Sequence, residues 1–102
     1  MTAGKASRRA IADRLEILAR LLDQIRALPL EDRDQFFSDA RNAAAAESCL
    51  RRSLEALLDL GRHILAKGYG VGVSEYEEIA DELGRCEVLS ADDAALLRIL
   101  AG

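Results

Sequence analysis

The chain has 102 residues, a length that suits one domain with one hydrophobic core. Half of the residues are hydrophobic but few are aromatic, and Leu and Ala with a single Pro favour helix over strand. The net charge of -4 argues against an autonomous nucleic-acid binder, and no apolar run is long enough to span a bilayer. We therefore expect one all-α domain over residues 1–102, with neither DNA nor a membrane as a partner.

The first predicted helix runs from about Ser7 to Leu28 and ends before Pro29, because the residue before a proline disfavours helical geometry. Steps of four and three residues place one apolar stripe on it. Ile17, Leu21 and Leu28 widen this stripe, so we expect the helix to contact two neighbours. The stripe consists of Ile11, Leu15, Leu18, Leu22 and Ile25.

The segment from Leu30 to Ser38 is predicted to form a short helical turn, whose Phe36 and Phe37 fill a gap between the long helices. A second long helix is predicted from about Asp39 to Lys67, with Gly68 as its left-handed terminating residue. Its predicted core stripe contains Leu50, Leu54, Leu57 and Ile64, and Leu58 and Leu65 broaden it.

Two short helices are predicted to follow the loop that contains Tyr69 to Val73. Ser74 and Glu77 have capping-box spacing, which predicts a helix that carries Tyr76, Ile79, Ala80 and Leu83 and ends at Gly84. Ser90 is predicted to open the last helix, where Ala94, Leu97 and Leu100 share one side. The five segments together predict an up-down helical bundle.

Neither cysteine pattern nor histidine content indicates a metal centre. Cys49 and Cys86 are far apart, without CxxC spacing, and no signal peptide precedes them. These features predict a reduced cytoplasmic protein with two ordinary thiols. With only one histidine, we expect no metal site and no cofactor.

The glycines at 68, 70 and 72 could indicate a phosphate-binding loop, but such a loop follows a strand and this one joins two helices. We therefore interpret them as turn residues that tolerate positive φ. An acidic cluster near the end of the chain could hold Mg²⁺, form a solvated helix face or dock a basic partner, and the solvated face is favoured. The cluster comprises Glu75, Glu77, Glu78, Asp81, Glu82, Asp92 and Asp93.

Arginines on the long helix are spaced ten and eleven residues apart, close to three helical turns, so a shared phosphate-binding side is geometrically possible. The residues concerned are Arg41, Arg51, Arg52 and Arg62. Interleaved carboxylates on Glu47, Glu55 and Asp59 largely neutralise them. RNA contact through this side is therefore the weaker interpretation.

From about Arg41 to Gly102 the chain resembles the HepT-like branch of the HEPN ribonuclease toxins, formerly a domain of unknown function. The resemblance rests on LEALLDLGRHIL, the Gly-Tyr-Gly loop, SEYEEIADEL and the closing LLRILAG, in that order. It implies a bundle of four to five helices that acts as the toxin of a bacterial toxin–antitoxin pair. It also implies an RNA-cleaving homodimer whose active site lies at the dimer interface, and a minimal nucleotidyltransferase as antitoxin.

Members of that family follow such a segment with an Arg-Asn, a short apolar stretch and His-x-Tyr, whereas this sequence stops at Gly102. We therefore expect a C-terminally truncated domain that lacks the last helix and exposes part of the bundle groove. The cause of the truncation is left open between a natural frame disruption and an arbitrary boundary.

His63 does not replace the family's motif. Catalysis there requires an Arg separated from the His by four to six residues, because the Arg stabilises the charge on the phosphate. Leu58, Leu57 and Ala56 occupy those positions, and Leu65 stands where the Tyr would follow. The prediction for His63 is a structural contact with Asp59, one helical turn away. We assign no catalytic, cofactor-binding or metal-binding residue.

Two functions remain open from the sequence. The first is a HepT-like ribonuclease toxin, neutralised by a minimal nucleotidyltransferase and inactive as residues 1–102 because it lacks the catalytic Arg and His. The alternative is a non-enzymatic helical subunit that binds a nucleotidyltransferase or another protein through its acidic end. Residues 68–102 carry eight acidic and two basic residues, whereas residues 1–28 carry three and six.

Overall fold

The computed structural model describes residues 4–102, and it describes side-chain surroundings from residue 8 onward. The first three residues of the predicted domain therefore lie outside the described part. The five helices, in chain order, are α1 (Gly4–Arg26), α2 (Arg33–Phe37), α3 (Ala40–Tyr69), α4 (Tyr76–Arg85) and α5 (Ala91–Ala101). The described residues contain no strand, so the predicted all-α helical bundle is confirmed. No helix in this range is both long enough and apolar enough to cross a membrane.

Side chains of Asp and Ser begin three of the helices. Asp32 Oδ1 accepts a hydrogen bond from the Gln35 N–H at 3.0 Å, and Asp39 Oδ1 accepts from the Arg41 N–H at 2.9 Å. Ser90 Oγ accepts from the Asp93 N–H at 3.1 Å. Each bond satisfies a backbone donor that the first turn of a helix leaves unpaired. The predicted start of the last helix at Ser90 is confirmed.

The predicted capping box at Ser74 is wrong. The residue that precedes α4 is Glu75, which has extended backbone geometry and makes no capping hydrogen bond through its side chain. The backbone carbonyl of Glu75 accepts the first helical bond, from the Ile79 N–H at 3.0 Å. Ser74 thus lies one residue too far from the first turn to cap it.

Two helix ends differ from the glycines that the sequence indicated. Gly68 lies inside α3, and Gly70, with φ of 65°, is the left-handed residue that ends this helix. The N–H groups of Gly70 and Val71 both donate to the Leu65 carbonyl, which the helix end would otherwise leave unpaired. Gly84 likewise lies inside α4, and the left-handed residue after that helix is Glu87, with φ of 60°.

The end of α1 also comes earlier than expected. The helix ends at Arg26, and the Leu28 N–H donates to the Ile25 carbonyl at 3.1 Å in a tighter turn. Pro29 follows that turn, so the chain leaves helical geometry before the position that the proline constrains.

α3 is the central element of the fold. α1 packs along α3, and α4 packs against the C-terminal half of α3. α5 packs against α4. The most deeply buried large side chains are Leu58 and Leu65 of α3 and Ile79 of α4. Leu83 and Leu97 complete the same cluster. The described fold is elongated, with principal extents of 53 × 27 × 20 Å.

The predicted apolar stripes are only partly buried. In α1, Leu21 is buried, whereas Leu15 and Leu22 of the predicted stripe are exposed. In α3, Leu58 and Leu65 form the core, whereas Leu50 is exposed. Leu15 and Leu22 are exposed because the apolar band of α1 is wider than the side of that helix that α3 covers.

The prediction that Phe36 and Phe37 fill a gap between long helices is wrong. α2 contains no buried residue, and the Phe37 side chain is 66% exposed. The two rings contact each other edge to face, with centroids 5.1 Å apart. Because α1 and α3 pack directly on each other, no gap is left between them for an aromatic side chain.

Candidate functional site

His63 is half-buried on α3, and its Nε2 atom is buried without a hydrogen-bond partner among the described residues. The predicted contact with Asp59 is not a hydrogen bond or an ion pair. Asp59 Oδ1 instead accepts from Arg62 Nη2 at 2.6 Å. Arg62 is thereby tied to a carboxylate of its own helix.

Three of the four arginines on α3 are neutralised by neighbours in the same segment. Arg41 pairs with Asp39 at 2.8 Å, Arg51 with Glu47 at 3.1 Å, and Arg62 with Asp59 as described above. These pairs are solvent-exposed, so each contributes little to stability. They also reduce the positive potential that a phosphate backbone would meet on this side of α3.

Arg41 and Asp39 shift each other's protonation equilibria. The Arg41 guanidinium donates to both Asp39 oxygens, and this side-chain bonding, followed by the bond from the Arg41 N–H, lowers the pKa of Asp39. The same contact raises the pKa of Arg41. Both groups are charged at neutral pH, so the pair leaves no group suited to accept or donate a proton in catalysis.

Arg52 is held by α1 rather than by a carboxylate. Its Nη2 atom donates to Gln24 Oε1 at 3.4 Å and lies 3.8 Å from Cys49 Sγ. The Cys49 thiol donates to the same Gln24 oxygen at 3.3 Å. This cluster joins α1 to α3, and nothing in the sequence pattern indicated it, since Gln24 lies off the apolar stripe.

Six of the seven residues of the acidic cluster are exposed, and three of the seven form ion pairs. Arg98 of α5 reaches across to α4, where it contacts Glu77 Oε2 at 3.5 Å and bonds to Asp81. Glu82 accepts from Arg85 Nε at 2.8 Å, and this bond lowers the pKa of Glu82. Sequence reasoning missed Arg98, because its partners lie 17 and 21 residues away along the chain.

No three His, Cys, Asp or Glu residues between 4 and 102 converge as metal ligands would. The two thiols are unpaired, with Cys49 buried and Cys86 half-buried. The turn interpretation of the glycine loop is confirmed at Gly70 by its positive φ. A Cβ atom built at residue 68, 70 or 72 would have no described atom within 4 Å. The described residues therefore do not enclose a phosphate-sized site at these glycines.

The comparison with protein families agrees with the resemblance. Residues 8–102 match the model of the family described as Ribonuclease HepT-like. The chain belongs to this family. Neither the curated proteins nor the solved structures contain a significant match.

Membership in the HepT-like family supports a toxin-type HEPN function at the level of the family. It does not assign a catalytic residue to this chain. His63 lacks an arginine at the family's spacing, and its neighbour Arg62 is engaged by Asp59. Within the described residues the sequence-derived candidates are thus dispersed, and they do not form one catalytic cluster.

Proposed function

We propose that this HepT-like chain is the toxin component of a bacterial toxin–antitoxin pair, with RNA as the substrate class and a minimal nucleotidyltransferase as antitoxin. The observation that carries the proposal is the family match over residues 8–102. We further propose that residues 1–102 alone do not cleave RNA. Support comes from His63, the only histidine, which has Leu58, Leu57 and Ala56 at the required arginine positions.

Self-association is part of the same proposal. Leu15 and Leu22 are seven residues apart on α1 and therefore share one face of the helix. Both are exposed, as is Leu50 on α3. Exposed large aliphatic side chains that share a helix face, as Leu15 and Leu22 do, favour burial against a second copy. Sedimentation over a range of concentrations should detect a dimer, and a monomer at every concentration would contradict this part.

The cleavage part is tested with purified residues 1–102, RNA substrates and EDTA. We expect no cleavage, and the same blank result for the His63→Ala variant. Metal-independent cleavage that His63→Ala abolishes would overturn the proposal that these residues carry no catalytic pair. The DNA after codon 102 is the companion observation, because an in-frame Arg-Asn and His-x-Tyr would supply the catalytic residues.

The antitoxin part is tested by expressing the chain with the product of a neighbouring gene that encodes a nucleotidyltransferase. We expect the two proteins to copurify at a fixed ratio. An adjacent nucleotidyltransferase that does not bind the chain would contradict the pairing, whatever the cleavage assay gives.

A further inference from the structure

The segment around α2 presents a preformed apolar pocket to solvent. Leu30 is 51% exposed and Phe37 is 66% exposed. Together with Arg33 and Phe36 they line a surface concavity of about 260 Å³, which we call the α2 pocket. An apolar concavity of this kind at the end of an elongated fold provides no burial for the chain's own core.

Hydrogen bonds at both ends of α2 hold the pocket in shape. Asp32 caps the first turn, and Ser38 Oγ donates to the Gln35 carbonyl at 2.7 Å. Asn42 Nδ2 donates to the Phe36 carbonyl at 3.0 Å and so ties α2 to α3. Because the backbone around the pocket is already fixed, a ligand there does not have to order it on binding.

Three carboxylates lie next to the residues of the α2 pocket along the chain, two in the preceding loop and one in α2 itself. Glu31, Asp32 and Asp34 form no ion pair within residues 8–102. Glu31 and Asp32 line a second concavity, of about 540 Å³, which shares Leu30 with the α2 pocket. Arg26 also lines this concavity, but it pairs with Asp23 at 3.6 Å. Among the described residues, Arg33 is the one cation that lines the pocket, and it lies over the Phe37 ring at 5.7 Å from its centroid. The surroundings of the pocket are therefore net negative.

We propose that the α2 pocket binds a short segment of a partner protein that carries a bulky aliphatic side chain flanked by Arg or Lys. The aliphatic group would pack between Leu30 and Phe37, and its basic neighbours would face Glu31 and Asp34. An exposed aromatic anchor in a pocket is typical of a binding hot spot. Complementary charges around such an anchor favour the correct partner and speed its association.

Two other occupants fit the same surface less well. RNA could stack on Phe37, but the unpaired carboxylates would repel its phosphates. A second copy would bring identical acidic surroundings together across a two-fold axis. The few apolar side chains at the pocket also provide much less area than the roughly 1,000 Å² of a stable interface. The inference goes beyond the proposed function, because it requires no RNA cleavage.

The test is a titration of isotope-labelled residues 1–102, followed by NMR, with a short peptide of alternating leucine and arginine. A peptide with glutamate in place of arginine is the matched control. We expect saturable shifts centred on residues 30–38 with the arginine peptide only. Equal binding of the glutamate peptide, or shifts confined to other residues, would overturn the proposal.

Variants assign the binding to the pocket. Phe37→Ala should lower the affinity for the arginine peptide at least about tenfold, as expected for a hot-spot residue. E31Q/D34N should weaken it about threefold and reduce its salt dependence. Ile99→Ser, which removes an apolar side chain 74% exposed on α5, should leave binding unchanged. Unchanged binding in Phe37→Ala would contradict the proposal.

Thermal melts of the same variants separate binding from folding, since Phe37 is exposed and its loss should leave the transition close to that of the parent chain. Two further titrations address the other occupants. Shifts of residues 30–38 on adding an RNA oligonucleotide, or on concentrating the protein without peptide, would overturn the assignment to a basic protein segment.

Discussion

A Cβ atom at Gly61 would lie 2.7 Å from Leu83 Cδ1, closer than packed atoms can approach. It would also lie 3.2 Å from Ile79 Cγ2. Leu83 and Ile79 are buried, so their side chains have little room to move away. Because Gly61 has no side chain, α4 can approach α3 this closely.

We expect Gly61→Ala to destabilise the fold by about 1–2 kcal/mol, because overpacking outweighs the helix propensity that alanine adds. Gly68→Ala is the matched control, since Gly68 lies in the same helix with open space around it. That variant should be neutral or stabilising by up to about 1 kcal/mol. Urea unfolding measures both, and equal effects of the two substitutions would contradict the packing argument.

The crossing of α4 and α5 depends on Gly84 in a similar way. A Cβ atom there would lie 2.7 Å from the Cβ of Ala94, and neither atom can rotate away from its backbone. We expect Gly84→Ala to destabilise the fold by about 2 kcal/mol, because the two helices must separate.

The double variant G84A/A94G restores the space on the opposite side of the same contact. It should recover part of the lost stability, although glycine in α5 costs about 1 kcal/mol of helix propensity. Chemical unfolding of both single variants and the double variant gives the coupling between the sites. Strictly additive effects would show that the two positions do not compete for space.

The sequence predicted which segments form helices better than it predicted which of their side chains pack against other helices. Segments with strong apolar periodicity, such as those around Leu18 and Leu58, do form α1 and α3. Periodicity cannot say how wide a side of a helix its neighbour covers, so Leu21 proved buried and Leu22 exposed. Phe36 and Phe37 were misplaced for the same reason, because hydrophobicity alone does not reveal a helix that packs at the end of the fold.

The functions of the glycines depend on tertiary structure. Gly68 and Gly84 were predicted to terminate helices, yet both lie inside them. Gly84 faces Ala94, and this contact cannot be read from local sequence. The pairing of Arg98 with Glu77 and Asp81 depends equally on how α5 folds back onto α4. For the site, the sequence predicted that His63 lacks an arginine at the family's spacing, but not that its Nε2 is buried without a partner.

The ion pair between Glu82 and Arg85 predicts a pH effect. The Arg85 bond lowers the pKa of Glu82 below its ordinary value, so the folded state holds this proton less tightly than the unfolded state. The pair therefore stabilises the fold above the unfolded pKa, and this stability is lost as the pH falls through the folded pKa. In Arg85→Gln we expect the Glu82 pKa to rise towards its ordinary value.

An NMR titration of the Glu82 carboxyl carbon measures this change directly. Arg62→Gln is the control, because it removes an exposed arginine that pairs with Asp59 instead. The Glu82 titration should be the same in that variant as in the parent chain. An unchanged Glu82 pKa in Arg85→Gln would contradict the assigned cause.

Glu87 is a position where the backbone geometry predicts that a single substitution stabilises the fold. It follows α4 with φ of 60°, a left-handed conformation that costs a residue with a Cβ roughly 1–2 kcal/mol. Glycine adopts this geometry without that cost, but it also makes the unfolded chain more flexible. We therefore expect Glu87→Gly to raise the free energy of unfolding by about 1 kcal/mol. Glu87→Ala removes the same charge and keeps the Cβ, so it should show no such gain. Thermal and urea unfolding of the pair distinguish the two causes, because an equal gain in both variants would assign the effect to charge rather than to backbone geometry.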